Sequence, residues 1–128
     1  MIEGTPLESD SSIMKRILLI DDHELARQVG YACEEAEHGA AALAGLEQGQ
    51  NVDLIVSDNQ MPVMTGLEFL VQVRANAHFG SIPFILYSGT ITDEILRQAH
   101  QAGATAVLNK PHNFSEFVAV VTQALEKS

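Results

Sequence analysis

Short apolar runs recur along the chain, and each gives way to a polar residue. Ile17 to Ile20 form a continuous run that meets Asp21 and Asp22. Val52, Leu54, Ile55 and Val56 form a second, nearly uninterrupted, that meets Asp58. Pro83 to Tyr87 precede Ser88-Gly89, and Ala106 to Asn109 precede Lys110-Pro111. Runs this short and this uniformly apolar are the pattern of strands covered on both faces of a parallel sheet.

Helical periodicity fills the intervals. Gly39 to Gln48 is alanine-rich. Gly66 to Ala77 places Leu67, Leu70, Val71 and Arg74 on one stripe, and Thr65 with Glu68 has the spacing of a capping box at its start. Thr92 to Ala102 repeats the pattern with Ile95, Leu96, Ala99 and Ala102, and Gly103 stops it. Asn113 to Lys127 predicts an amphipathic helix with Phe114, Phe117, Val118, Val121, Ala124 and Leu125 inward and Asn113 with Glu116 as its cap. Strands alternating with helices argue an α/β domain with helices on both faces of a parallel sheet, joined by right-handed crossovers.

One interval is short. Between Ile20 and Tyr31 the chain leaves room only for Glu24 to Gly30 as helix, about 10 Å at 1.5 Å per residue. The preferred reading puts a strand at Tyr31 to Ala36. The competing one is a longer helix carrying Leu25, Val29, Cys33, Ala36, Ala40 and Leu43, with that strand lost.

Composition narrows the function classes. A chain of 128 residues suits one domain, read as 15–128 after an N-terminal extension at 1–14 rich in Gly, Pro, Ser and acid. Lys and Arg number 7 against 17 Asp and Glu, a net charge of −10, which disfavours nucleic acid and anionic membranes as partners. Cys33 is the only cysteine, so an internal disulfide is excluded and a cytoplasmic location is expected. It reads as a small core residue, and the five histidines show no metal-ligand spacing.

In a parallel sheet the strand ends Asp21-Asp22, Asp58, Ser88 and Lys110 share one edge, where open α/β sheets bind ligands. Close carboxylates repel one another, and a hard cation with oxygen ligands relieves this; Mg²⁺ fits best. A carboxylate is also a nucleophile toward phosphorus. Lys110 would neutralise charge on a transferring group and Ser88 would donate a hydrogen bond to it.

The acid pair Asp21-Asp22, the motif Asp-x-x-Met-Pro-x-Met-x-Gly from Asp58 to Gly66, Ser88-Gly89, and Gly103-Ala104 ahead of Lys110-Pro111 together resemble the receiver domain of bacterial response regulators, from about Lys15 to Lys127. The resemblance implies a flavodoxin-like, doubly wound, five-stranded parallel sheet of order 2-1-3-4-5. It implies a phosphoprotein of a two-component or phosphorelay system, in which Asp58 accepts a phosphoryl group from a phosphohistidine of a sensor histidine kinase or phosphotransfer protein. Mg²⁺ would be held by Asp22, Asp58 and the backbone carbonyl of Gln60, with Asp21 acting mostly through water. Ser88 and Lys110 would contact the phosphoryl oxygens, and the bond before Pro111 would be cis. The domain would assist its own phosphorylation and dephosphorylation without being an enzyme. Its output would be a switched face, formed by the last strand and the helices flanking it, for a downstream protein target or a second copy.

Two departures stand out. Val107 occupies the place of the family's inward-swinging aromatic side chain, and the first helix is shorter by roughly two turns, about seven residues. They leave an alternative, a receiver-fold docking or dimerisation module that works without phosphorylation. A third reading, an aspartate-nucleophile phosphatase, needs two acids one residue apart after the first strand, whereas Asp21 and Asp22 are adjacent.

Overall fold

The structure is a computed structural model that describes residues 16–20, 32–61, 63–89, 91–110 and 114–126. The expected extension, the acid pair Asp21-Asp22, the shortened first helix, the Lys110-Pro111 bond and the Asn113 cap all fall on or reach into positions outside the described residues.

Five strands, β1 (Arg16–Ile20), β2 (Ala32–Ala36), β3 (Leu54–Ser57), β4 (Phe84–Ser88) and β5 (Ala106–Asn109), form one parallel sheet of order β2-β1-β3-β4-β5. This is the doubly wound order expected. The strand reading at 31–36 prevails over the longer helix: Arg16 pairs with Ala32 and Ile20 with Ala36 along the whole of β2. As an edge strand β2 carries the charges Glu34 and Glu35, which a strand with neighbours on both sides rarely tolerates, and this blurred its pattern.

Four helices are described, α1 (Gly39–Glu47), α2 (Gly66–Arg74), α3 (Asp93–Ala102) and α4 (Phe114–Glu126). Successive strand residues point to opposite faces. Leu18, Ile20, Ile55, Phe84 and Leu86 accordingly join Ala42 and Leu46 of α1, Phe69, Leu70 and Val73 of α2 and Ala99 of α3 in one core. Ile17, Leu19, Leu54, Val56, Ile85 and Tyr87 join Phe117, Val121, Ala124 and Leu125 of α4 in the other. None of the described helices is long and apolar enough to cross a membrane.

The stripe on α2 differs from expectation. Gly66, Phe69, Leu70 and Val73 are buried, whereas Val71 is 53% exposed. A helix lying on a sheet buries positions i, i+3, i+4 and i+7, and Phe69 fixes the phase because its ring meets that of Phe84 at 5.6 Å. Arg74 leaves the stripe altogether: its guanidinium donates to the carbonyls of Gly80, Ile82 and Gly103. The helix ends there, and residues 75–82 turn instead of continuing to Ala77.

The other helices follow their patterns with smaller shifts. Thr92 caps α3, and Gly103 closes it at φ 101°, a left-handed conformation for which glycine is the least strained residue. Leu96 of α3 is exposed, and the helix meets the core through buried Ala99 with Ile95 and Ala102 packed beside it. In α4 Val118 is only half-buried. His38 caps α1, its Nδ1 accepting the Ala41 N–H at 3.1 Å.

Candidate functional site

The register fixes which strand ends meet. Ser57 pairs with Ile20 on one side and Leu86 on the other, and Ser88 pairs with Asn109. Asp58 and Lys110, each the next residue after its strand, therefore leave the same edge of the sheet with β4 between them. Lys110 Nζ lies 3.3 Å from Asp58 Oδ2. The side chains are 29% and 15% exposed, so the pair lies in a partly desolvated cleft. The Asp58 N–H makes a long hydrogen bond, 3.5 Å, to the carbonyl of Ile20, the residue directly before Asp21.

The second carboxylate oxygen is oriented locally. Asp58 Oδ1 accepts the Gln60 N–H at 3.1 Å, which turns the chain back around the carboxylate. Ser57 donates its hydroxyl to the Asp58 carbonyl at 2.8 Å. The loop beyond is anchored by Asn59, which is 9% exposed. Its backbone oxygen accepts the Gly66 N–H and its Oδ1 the Leu67 N–H, both at 3.0 Å. Thr65 and Glu68 complete the expected capping box. The donors that open α2 are thus held by the residue next to Asp58 and by the box, which ties the loop after Asp58 to a packed helix. Within this loop Val63 stands at φ 72°, an outlier for a β-branched residue.

On the far side, Ser88 is fully buried at the end of β4. Its carbonyl accepts the Lys110 N–H at 2.8 Å, and Asn109 Oδ1 accepts the Ile91 N–H at 3.2 Å. These bonds fasten the segment after Ser88 to the strand end that presents Lys110. Val107 is half-buried and packs on the core face shared with α2 and α3. Lys110 Nζ also lies over the ring of Tyr87, 5.2 Å from its centroid.

Of the residues singled out from the sequence, Asp58, Gln60, Ser88 and Lys110 thus share one rim, while Asp21 and Asp22 lie outside the described residues. Among the described residues no group of three or more His, Cys, Asp or Glu side chains could hold a metal ion. Sequence reasoning passed over Asn59, Asn109 and Tyr87. Two asparagines flanking strand ends read as ordinary loop polarity, and an aromatic in an apolar run reads as core. Cys33 is half-buried beside the α4-side core, and burial first, then the carboxylates of Glu35 and Glu34, raise its thiol above the ordinary value.

A family model of the response regulator receiver domain matches residues 17–122. The chain belongs to this family. It is a receiver domain of two-component systems, of the phosphoacceptor class, and its fold is a signalling fold. The sensory/regulatory protein RpfC of Xanthomonas campestris pv. campestris is 36% identical over 105 residues, which cover 75% of this chain and 14% of that protein. Among solved structures, the chemotaxis protein CheY4 of Vibrio cholerae matches at 30% identity with a TM-score of 0.73, over 89% of this chain and 98% of that one. A CheY-like receiver domain protein of Methanospirillum hungatei matches at 26% identity with a TM-score of 0.79, over 89% of this chain and 95% of that one. Receiver domains generally use Mg²⁺ for phosphorylation, and the donors here suit that ion in kind: a carboxylate oriented at a strand end with backbone oxygens beside it offers oxygen alone.

Proposed function

We propose that Asp58 is the phosphoacceptor of this receiver domain, with Lys110 and Ser88 as its partners in the transfer. The observation that carries the reading is the approach of Lys110 Nζ to Asp58 Oδ2 at 3.3 Å at the carboxyl rim of the sheet. The donor is the phosphohistidine of a sensor histidine kinase or phosphotransfer protein. One Asp58 oxygen attacks phosphorus in line; the O–P bond forms as the P–N bond breaks, and the electron pair returns to the imidazole, which takes up a proton. The Gln60 N–H holds one carboxylate oxygen in place, so the nucleophile is oriented before the donor arrives. Lys110 meets the negative charge gathering on the phosphoryl oxygens, and a hydrogen bond from Ser88 adds to this.

Mg²⁺ would be held by Asp22, Asp58 and the Gln60 carbonyl, with Asp21 acting mostly through water, and when bound it would supply positive charge near the phosphoryl group. Support for including the acid pair is the chain itself: Ile20, directly before Asp21, pairs with Ser57 in the sheet and its carbonyl accepts the Asp58 N–H. The phosphoryl group adds roughly −1.5 to −2 charges at Asp58. The change is read at the surface of α3, β5 and α4 by a downstream protein target or a second copy, in the cytoplasm. The test is labelling by acetyl phosphate with and without Mg²⁺. The reading expects labelling that needs the ion and is lost in Asp58→Asn; ion-independent labelling, or none with intact partner binding in Asp58→Ala, refutes it.

A further inference from the structure

We infer that Tyr87 is a positioning residue for Lys110, the face of its ring holding the ammonium beside Asp58. The inference rests on the role given to Lys110 above and extends it to a residue outside the family's motif. A lysine side chain is a flexible stem ending in a compact charge, so its reach alone does not place the charge. Among the described residues the ammonium lies 3.3 Å from Asp58 Oδ2 and 5.2 Å from the Tyr87 ring centroid.

The sheet register explains the second contact. Tyr87 pairs with Leu108 on β5. Alternate residues of a strand share a face, so the chain presents Lys110 on the face of Leu108, next to Tyr87 and one step beyond it. Tyr87 belongs to the core built on α4, and its ring meets that of Phe117 at 5.0 Å with an interplanar angle of 30°. With 9% of its surface exposed, the ring is held in one orientation and offers its electron-rich face to the cation. An aliphatic residue would fill the same core position but would remove the ring face from beside the ammonium. The neighbouring residue, Ser88, belongs to the same strand end, so β4 contributes one residue to the cation and one to the phosphoryl site.

The experiment compares Tyr87→Leu and Tyr87→Phe in acetyl phosphate labelling with Mg²⁺, together with the NMR shifts of the Lys110 side-chain protons. Tyr87→Leu is expected to lower the maximal labelling rate about threefold, the lower range for one cation–π contact, while the half-saturating donor concentration stays unchanged. Tyr87→Phe keeps the ring face and is expected to label at nearly the wild-type rate. In wild type and Tyr87→Phe the Lys110 side-chain protons next to the ammonium shift upfield under the ring current, and in Tyr87→Leu they do not. Labelling of Tyr87→Leu at the wild-type rate, or of Tyr87→Phe as slow as Tyr87→Leu, overturns the inference. Should Tyr87→Leu fail to fold, the wild-type proton shifts decide: shifts at the usual lysine values overturn it. Failure of the wild-type chain to label at all would overturn the Asp58 reading instead, and the proton shifts would still judge the contact between Lys110 and Tyr87.

Discussion

Gly66 and the carbonyl oxygen of Asp58 approach so closely that a Cβ on Gly66 would lie 2.3 Å from that oxygen. Leu86 Cδ1 and Asn59 Cα would stand at 2.8 and 2.9 Å from the same Cβ. Two of these three neighbours are backbone atoms, which do not step aside as the end of a flexible side chain does. The helix that buttresses the Asp58 loop can therefore start only with glycine. Gly66→Ala is expected to lower stability by about 3 kcal/mol, the upper range for overpacking, and to displace the Asp58 loop. Urea unfolding measures the first effect, and slower phosphodonor labelling the second.

Phe69 and Val71 separate the true buried face of α2 from the one that simple periodicity suggests. Phe69 is fully buried against Phe84, and Val71 is half-exposed. Phe69→Ala should cost about 4 kcal/mol through lost contacts and the cavity left behind. Val71→Ala should change stability by no more than about 0.5 kcal/mol. Equal losses in thermal or denaturant melts would mean that the helix is rotated from the position described.

Arg74 binds three carbonyls from two segments. Its Nη1 donates to Gly80 O at 3.0 Å and Ile82 O at 2.7 Å, and its Nε and Nη2 donate to Gly103 O at 3.1 and 2.9 Å. Arg74→Met keeps much of the stem but leaves these carbonyls without their donor, at an expected cost of about 2 kcal/mol. Arg74→Lys should recover only part of it, since an ammonium does not reproduce the planar fork. Denaturant melts of the two variants check both statements.

Cys33 gives a pH-dependent prediction. With its thiol raised by burial and by Glu35 and Glu34, the folded chain holds the proton more tightly than the unfolded one. Less thiolate is present at any given pH, so iodoacetamide should react more slowly with the native protein than with the urea-unfolded chain at pH 8. The corresponding contribution to stability is complete below the thiol's unfolded value and is lost as pH rises through the folded one. Equal alkylation rates in the two states would contradict the half-buried placement.

How much of this was legible in the sequence follows from what each residue has to satisfy. Strands β1, β3 and β4 could be read directly because burial on both faces demands uniform apolar runs, and a terminal polar residue then marks the rim; the half-buried edge strand β5 kept a short apolar run ahead of Lys110. Edge strand β2, with Glu34 and Glu35, was ambiguous because its apolar positions also keep a helical period. The phase of α2 was misread because Leu67 and Val71 are as apolar as Phe69 and Val73, and only the ring-to-ring contact with Phe84 decides between them. Asp58 and Lys110 were legible as a pair through their strand ends. Tyr87 was not, since its second role depends on a cross-strand register and on the packing of Phe117, neither of which a one-dimensional pattern contains.

The most direct test of the central claim is the chemical location of the phosphoryl group. The labelled protein is reduced with borohydride, which converts an aspartyl phosphate to homoserine, and its peptides are mapped by mass spectrometry. Homoserine at position 58, dependent on Mg²⁺ during labelling, is the predicted result. A phosphoryl group at any other residue, or a labelled protein in which Asp58 is recovered unchanged, would contradict it.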